Sequence, residues 1–549
     1  MKMRLFLLTS MIFALTSCSS FDDETVSIPL TEPEIETIGV LPSPYSIDIM
    51  EQAYEYVKSN STRNTNINVD NIAPTHRYIK FIPANRDQVD ALISNYTVYN
   101  FPLDAIPQTK ANEAISAMNN GDLYALVEYD AILPDSITYN EICTLHNPYA
   151  TDNIDIDSDV VDEIAKTAYA ISKYGDASMV SKLTPWRPKG TIRVWDDLTN
   201  DYIPLEGVEV HITNSLLSAP WIVKTDENGY FEGNIAFSDD ISYIIQWKGD
   251  EWAIKFDNMN PAMTVSYSSR LPLDLIIPKT SVATYNAATV NRAAYFYWDV
   301  ALHYTPPTMA ETVRITCYNE PNDGNGDIGL FYPGDVAIDK PIIEIWCGNR
   351  LSHDIISTTF HELAHAAHYA SVGIYNYSRT NKIIKESWTR YIQSKLPDNL
   401  YRGLSSVTNV DYEDLMHNQI LYLDSGYQSF VEYSPDNYNI QNWKYNPDSN
   451  QFVYTPLFID ISDCLNQREW YQNFGNNSND YPNDKVCIIG GISLIENLVF
   501  HCKTVAEVKN TLLEYISDHD LDIPTEDVND LFNIYERVET QLNSSTSNY

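Results

Sequence analysis

The segment 361–365, which reads His-Glu-Leu-Ala-His, has the residue types and spacing of a hydrolytic metal site. His361 and His365 are four residues apart, so on an α-helix both imidazoles lie on one face and can bind one metal ion. Glu362 follows the first histidine directly, where its carboxylate can accept a proton from a water molecule beside the ion. The pattern therefore predicts hydrolysis by a metal-activated water.

A third protein ligand is expected, because hydrolytic zinc sites have three protein ligands and leave a fourth position for water. The metzincin spacing requires Gly at position 368 and His at 371, where this chain has His368 and Ser371, so that route fails. The segment 383–392 instead has helical spacing and one central carboxylate, Glu386. A turn through Gly373 leaves room for this second helix to return to the first.

The arrangement of His361, His365 and Glu386 resembles the gluzincins, the HExxH…E metallopeptidases. This resemblance implies that the three residues are Zn²⁺ ligands held by two antiparallel helices, and that Glu362 is the catalytic acid/base. Some gluzincins have an Asp four residues after the ligand glutamate, where it orients a ligand histidine. Here that position is Arg390, so the orienting partner must come from elsewhere. The spacing also resembles, more weakly, the enhancin-like, mucin-active peptidases.

Substrate binding can be predicted only in outline. The resemblance implies an electrophilic donor, often Tyr or His, that stabilises the oxyanion. The chain has 39 tyrosines, so the sequence does not identify this donor. The substrate main chain is expected to pair with a strand before the metal-binding helix, and Ile342–Trp346 is the candidate edge strand.

Simpler interpretations of the same residues stay open. His361 and His365 can be surface histidines beside a chance glutamate, and Glu386 can be an ordinary charge on a helix surface. His368 lies on the same helix face but too far along to complete the site, and we interpret it as a packing residue or an outer partner of the site. We interpret His353 as a loop residue.

The site is expected in the last of three folded segments of a multidomain α+β protein. Residues 46–180 mix helical and strand-like spacing and predict an N-terminal α+β module. Residues 189–280 have short β runs separated by Asn/Asp-Gly turns, which predict a small β-sandwich. Residues 281–549 have mainly helical spacing and are expected to form the zincin-like catalytic domain.

The middle segment carries a resemblance of its own. The runs PLEGV at 204–208 and TDENGYF at 225–231 resemble the carboxypeptidase regulatory-like (transthyretin-like) domain. This resemblance implies a β-sandwich fold, and it implies no catalysis.

The N-terminus predicts export and lipid attachment. Lys2 and Arg4 precede a mostly apolar run, 5–15, which suits a signal peptide and is too short to span a bilayer permanently. The following Leu-Thr-Ser-Cys resembles the lipobox of bacterial lipoproteins, which implies removal of residues 1–17 and lipidation of Cys18. An ordinary signal peptide with an incidental cysteine is the alternative.

Residues 18–45 are expected to be a lipidated cysteine followed by a tether. The acidic cluster 22–24 resembles the surface-export signal of some outer-membrane lipoproteins, although a solvated linker explains it equally well. The expected location is therefore the bacterial outer membrane, with the protein anchored by lipid and exposed at the cell surface.

Charge excludes several classes of partner. The chain has 549 residues, with 75 Asp and Glu against 35 Lys and Arg and a formal net charge of −40. Such a chain does not bind DNA or RNA through phosphates, and it does not dock on anionic lipid through a basic patch. Membrane contact is expected only through the lipid on Cys18. Six further cysteines permit disulfides, whose pairing the sequence does not determine.

Together these features predict a lipid-anchored extracellular zinc metallopeptidase that acts on proteins or glycoproteins. The first alternative is a catalytically inactive surface lipoprotein that binds glycan or protein ligands. Glu362 favours the enzyme, because a binding protein has no need of an acid/base. The second alternative is a structural metal site without turnover.

Overall fold

A computed structural model describes most of the chain beyond residue 42. The described residues are 43–60, 72–99, 122–149, 158–213, 221–238, 241–256, 260–261, 263–268, 271–301, 312–321, 329–333, 341–404, 456–462, 464, 466, 468–469, 482–488 and 492–546. They are mixed α+β with several sheets and belong to one compact unit, Pro42–Tyr549. The predicted signal peptide, Cys18 and nearly all of the predicted tether lie outside them. Within these ranges, none of the helices has the length and apolar character that a bilayer crossing requires.

The segment 46–180 forms an antiparallel sheet with helices on both faces. Its elements are α1 (Ile47–Asn60), β1 (His76–Ile82), α2 (Arg86–Asn95), β2 (Val98–Tyr99), β3 (Leu123–Glu128), β4 (Thr138–Leu145), α3 (Ser158–Tyr174) and a 3-10 helix (Ala177–Lys182). The strand order is β2-β3-β1-β4. Helices α1 and α3 pack together on one face, and α2 packs on the other. Asn85 caps α2, because its side chain accepts a hydrogen bond from the Gln88 N–H.

The segment 189–280 contains two four-stranded sheets whose buried side chains share one core. Its strands are β5 (Lys189–Asp196), β6 (Asp201–Pro204), β7 (Glu209–Thr213), β8 (Trp221–Lys224), β9 (Tyr230–Glu232), β10 (Ile241–Gln246), β11 (Trp252–Phe256), β12 (Asn260–Pro261), β13 (Met263–Ser268) and β14 (Leu273–Ile277). One sheet has the order β13-β10-β7-β8, and the other has β14-β5-β6 with β9 also on β5. Gly229, at φ 69°, makes the turn into β9.

Strands β11 and β12 join a different sheet, which belongs mainly to the following segment. Its other strands are β15 (Val313–Tyr318), β16 (Gly329–Tyr332) and β17 (Ile342–Trp346). The order is β12-β11-β15-β17-β16; β11, β15 and β17 are parallel, and β16 runs antiparallel at one edge. The predicted boundary at residue 280 therefore does not separate the sheets, because β11 pairs with β15 across it.

The remaining described chain is mainly helical, as the sequence predicts. The helices are α4 (Val282–Tyr295), α5 (Ser352–Arg379), α6 (Lys382–Leu404), α7 (Leu457–Ser462), α8 (Ile492–His501), α9 (Val505–Asp518) and α10 (Thr525–Thr546). Helix α4 passes at Phe296 into a short π-helix that ends at Ala301. Cys464 and Cys487 form a disulfide, a pairing that the sequence left open.

A buried carboxylate, Asp196, ties the end of β5 to three helices. It accepts hydrogen bonds from Arg292 Nη1 of α4 (3.1 Å), Ser352 Oγ of α5 (3.1 Å) and Tyr401 Oη of α6 (2.8 Å). Two backbone N–H groups of its own turn also donate to it. Asp196 has no solvent exposure, so these donors replace the water that an ionised carboxylate otherwise needs.

The neighbouring Asp197 caps α5 from outside the helix. The N-cap residue of α5, Leu351, forms no side-chain cap. Instead the Ser352 N–H donates to Asp197 Oδ2 at 2.8 Å, while Lys279 Nζ and Tyr285 Oη donate to the same carboxylate. A negative charge at a helix N-terminus is stabilising, because the first N–H groups of a helix have no partner within it. The β5–β6 turn thus fixes where α5 begins.

A pH-dependent stability is expected from Glu496, a residue of α8 that is 2% exposed. Its Oε2 has no hydrogen-bond partner in the part of the chain that the structure describes. Burial raises the pKa of Glu496 to about 7, against 4.5 for the ordinary carboxyl. The pKa of Glu496 is higher in the folded protein than in the unfolded chain. The contribution of Glu496 to the free energy of unfolding is therefore fully present below about pH 4.5 and is lost as the pH rises through 7.

Glu496→Gln, which cannot ionise, is therefore expected to gain stability over the parent protein as the pH rises. The gain should approach about 3 kcal/mol at pH 8, because the pKa rises from 4.5 to about 7 and each unit is worth about 1.4 kcal/mol. Urea unfolding of both proteins at pH 5 and pH 8 measures the difference. A difference that is the same at the two pH values would show that Glu496 is already ionised in the folded protein at pH 5.

Candidate metal centre

Two consecutive helices carry the candidate ligands. Helix α5 is broken at Gly373, whose φ of 74° is left-handed and favours glycine, and the chain then returns into α6. The indole N–H of Trp388 on α6 donates to the Ala364 carbonyl on α5 at 3.0 Å, so the two helices are joined next to the histidines. The predicted helix pair and the turn at Gly373 are both confirmed.

His361, His365 and Glu386 converge in space. One ligand atom from each lies within 4.8 Å of the other two. Glu386 Oε2 is 3.6 Å from the Nε2 atoms of both histidines. Two imidazole nitrogens and one carboxylate oxygen at this separation are a donor set for one metal ion. Elsewhere in the described ranges no other group of three His, Cys, Asp or Glu side chains converges in this way.

Both histidines have their second ring nitrogen engaged. His361 Nδ1 is 3.1 Å from Gln393 Oε1, and His365 Nδ1 is 3.1 Å from Tyr377 Oη. A ligand histidine in a metal site typically donates its other N–H to such a partner, which fixes the orientation of the ring. Gln393 and Tyr377 are therefore the orienting groups that the sequence, with Arg390 at the expected position, did not identify.

His361 and Glu386 are shifted in ionisation by the charged groups around them. Burial by itself lowers the pKa of His361, but attraction to Glu386 and Glu362 outweighs burial and raises it. Burial by itself raises the pKa of Glu386, but the two facing histidines outweigh it and lower the value. The site therefore favours an ionised Glu386, which is the form that binds a metal ion.

Glu362 is close enough to His361 to raise the pKa of that histidine, and it lies against strand β16. The residue is 6% exposed. A Cβ atom placed on Gly329 of β16 would lie 2.5 Å from Glu362 Oε1 and 2.7 Å from Thr358 Cγ2, closer than real Cβ contacts. Only glycine therefore lets the edge strand approach the carboxylate this closely.

Gly329→Ala is expected to displace the Glu362 carboxylate and, if this site hydrolyses substrates, to lower kcat by at least about tenfold, since a misplacement of ~1 Å costs up to 100-fold. The content of any bound metal should not change, because the three atoms nearest to the added Cβ belong to Glu362 and Thr358, which are not among the three convergent residues. Gly403→Ala on α6 is the control, because its new Cβ would meet no atom within 4 Å. Equal kcat values for the two variants would contradict the expectation.

The edge of the sheet differs from the sequence-based expectation. Ile342–Trp346 was the candidate edge strand, but it is interior, with β15 on one side and β16 on the other. The edge beside the site is Gly329–Tyr332. Phe331 of this strand stacks on the His365 ring, with centroids 6.0 Å apart and an angle of 15° between the planes. β16 therefore packs directly against helix α5, which carries the two candidate ligand histidines.

The other two histidines near the motif do not join the cluster. His368 is fully buried against the rings of Tyr377 and Phe500, and its nitrogens have no partner among the described residues. Burial lowers the pKa of His368 to about 3, so it is neutral at physiological pH and packs as expected. His353 was predicted in a loop, but it lies buried in the first turn of α5, because that helix begins earlier than the motif suggests.

A scan against protein-family models, a search of curated proteins and a search of solved structures returned no match for this chain. The interpretation of the site therefore depends on its own residues and their geometry.

Proposed function

We propose that this protein is a lipid-anchored extracellular zinc metallopeptidase that hydrolyses peptide bonds of proteins or glycoproteins. One observation carries the proposal: His361, His365 and Glu386 converge within 4.8 Å, and the carboxylate of Glu362 is close enough to raise the pKa of His361. The extracellular location is supported by the N-terminal sequence alone, with Cys18 as the proposed lipidation site.

The donor set suits zinc better than calcium or magnesium. Calcium and magnesium prefer oxygen ligands throughout, whereas imidazole nitrogens with one carboxylate are typical of zinc. With the Nδ1 atoms of both histidines directed at Gln393 and Tyr377, the Nε2 atoms are left to hold the ion. Three protein ligands leave one coordination position open, which distinguishes catalytic zinc sites from closed structural ones.

A bound zinc ion supplies Lewis acidity, which polarises a carbonyl group and lowers the pKa of water towards ~7. The protein supplies the proton transfers. A carboxylate oxygen of Glu362 takes a proton from the attacking water, and the same oxygen then delivers it to the nitrogen of the leaving amine. Its burial at 6% exposure keeps competing solvent away from this proton.

Strand β16 is the proposed docking edge for the substrate main chain. Among the described strands β16 pairs only with β17. The main-chain N–H and C=O groups on its other side can therefore pair with a substrate strand. A peptide that pairs with this side would pass close to Gly329 and therefore to Glu362. Main-chain pairing gives affinity with little dependence on side-chain sequence, which suits a peptidase acting on varied proteins.

Metal analysis of the purified full chain tests the proposal. We expect one zinc ion per chain by mass spectrometry, and loss of the ion in both His361→Ala and Glu386→Ala. Glu514→Ala, which removes an exposed carboxylate from α9, should retain the ion. Folded parent protein that takes up no zinc when zinc is supplied would contradict the peptidase and leave the inactive binding protein as the better explanation.

A further inference from the structure

The side chain of Gln393 connects the candidate metal site to Arg390. Gln393 lies seven residues after Glu386 on α6, so both side chains project from the same face of the helix. Its Oε1 is 3.1 Å from His361 Nδ1 and 3.4 Å from Arg390 Nη1, and its Nε2 donates to Ser357 Oγ at 3.0 Å. Gln393 and Arg390 are 1% and 7% exposed, so water does not compete for these contacts.

The donor properties of Arg390 determine which way the Gln393 amide faces. A guanidinium group has five N–H donors and no acceptor. The amide atom that faces Arg390 must therefore be the oxygen, and the amide nitrogen is left to donate to Ser357. Arg390 thus selects one of two amide orientations that are otherwise similar in shape.

The amide orientation in turn determines the tautomer of His361. An amide oxygen only accepts, so His361 Nδ1 must carry the proton that it donates to Gln393. The lone pair of a neutral imidazole is then on Nε2, the atom that faces Glu386. The opposite amide orientation would donate to Nδ1, place the proton on Nε2 and block metal binding.

We propose that Arg390 and Gln393 are positioning residues that hold His361 in its metal-binding tautomer. The proposal rests on the proposed zinc site and assigns a role to the arginine that occupies the place of the family's aspartate. The tautomer of His365 is not determined in the same way, because its partner, the Tyr377 hydroxyl, can either donate or accept a hydrogen bond. Of the two histidines, only His361 therefore has its tautomer selected by its hydrogen-bond partner.

Zinc affinity of the full chain, measured by competition with a chromophoric chelator, tests this role. Gln393→Met keeps the side-chain length but removes the acceptor, and zinc affinity should fall about 10- to 100-fold. Arg390→Met leaves the amide free to turn, and a loss of about tenfold is expected. Gln393→Glu restores an acceptor for both His361 and Arg390 and should bind zinc about as tightly as the parent. Asn399→Met removes an exposed amide from the same helix and should change nothing.

The visible spectrum of the cobalt(II)-substituted proteins gives a second readout, because it reports the ligand field rather than stability. We expect an altered spectrum for Gln393→Met and parent-like spectra for Gln393→Glu and Asn399→Met. Thermal unfolding of the metal-free proteins shows which variants fold. If Gln393→Met does not fold, the contrast between Gln393→Glu and Arg390→Met decides the question.

Two results would overturn the proposal while leaving the zinc site intact. One is a Gln393→Met protein that binds zinc as tightly as the parent. The other is a Gln393→Glu protein that loses as much affinity as Gln393→Met, which would mean that Gln393 acts through its amide N–H donor to Ser357 rather than as an acceptor for His361. A folded parent protein that binds neither zinc nor cobalt would instead overturn the proposed function together with this inference.

Discussion

Glu362→Gln is expected to lower kcat/KM for peptide hydrolysis by about 10²- to 10⁴-fold, the usual contribution of a general acid/base. The substitution keeps the size of the side chain and its contact with Gly329, but an amide does not accept a proton from water. Zinc content should remain that of the parent protein, because Glu362 is not one of the three convergent ligands. Activity and metal binding are thereby separated in a single variant.

The measurement is steady-state hydrolysis of a peptide or mucin-type substrate by zinc-loaded protein. Glu514→Gln is the matched control, because it makes the same chemical change at an exposed position of α9 and should keep full activity. A Glu362→Gln protein with parent-like kcat/KM and full zinc content would assign the proton transfers to another residue.

Asp196→Ala is expected to lower the free energy of unfolding by about 3–5 kcal/mol, the usual cost of removing one partner of a buried ion pair. The guanidinium group of Arg292 would remain 6% exposed without its carboxylate. Tyr401 and Ser352 would lose a hydrogen-bond acceptor in the same place. The loss of stability should be large because the Asp196 carboxylate accepts hydrogen bonds from α4, α5 and α6.

Urea unfolding of Asp196→Ala and Asp274→Ala measures this effect against a matched control. Asp274 also pairs with an arginine, Arg193, at 3.1 Å, but the two side chains are 62% and 40% exposed. Such a pair is worth about 0–1 kcal/mol in water. Equal losses of stability in the two variants would show that the Asp196 network does not hold the helices together.

The sequence predicts the candidate ligands because they follow local periodicity. His361 and His365 share a helix face by their spacing, and Glu386 needs only a second helix nearby. Gln393 was missed although it shares the face of Glu386, because nothing in a sequence shows which residue of that face reaches a given ring. Tyr377 was missed for a different reason: it reaches His365 only because the chain turns back at Gly373.

The fold shows the same division between local and long-range information. Helix α2 and its cap at Asn85 depend on adjacent residues, because the Asn85 side chain accepts from the Gln88 N–H three residues on, and a local pattern can specify both. The edge strand β16 has only four residues, so its periodicity is too short to detect. The pairing of β11 with β15 joins residues about sixty positions apart, which no local pattern specifies.

The cap that Asp197 places on α5 sets a lower limit on how far the chain can be trimmed. A fragment that starts at residue 281, where the sequence changes to mainly helical spacing, would omit both Asp197 and strand β11. The metal-binding helix would then begin with an unsatisfied N–H group, and β15 would become an exposed edge. The smallest fragment worth producing therefore starts before β5, because residues 189–280 belong to the same folded unit as helix α5.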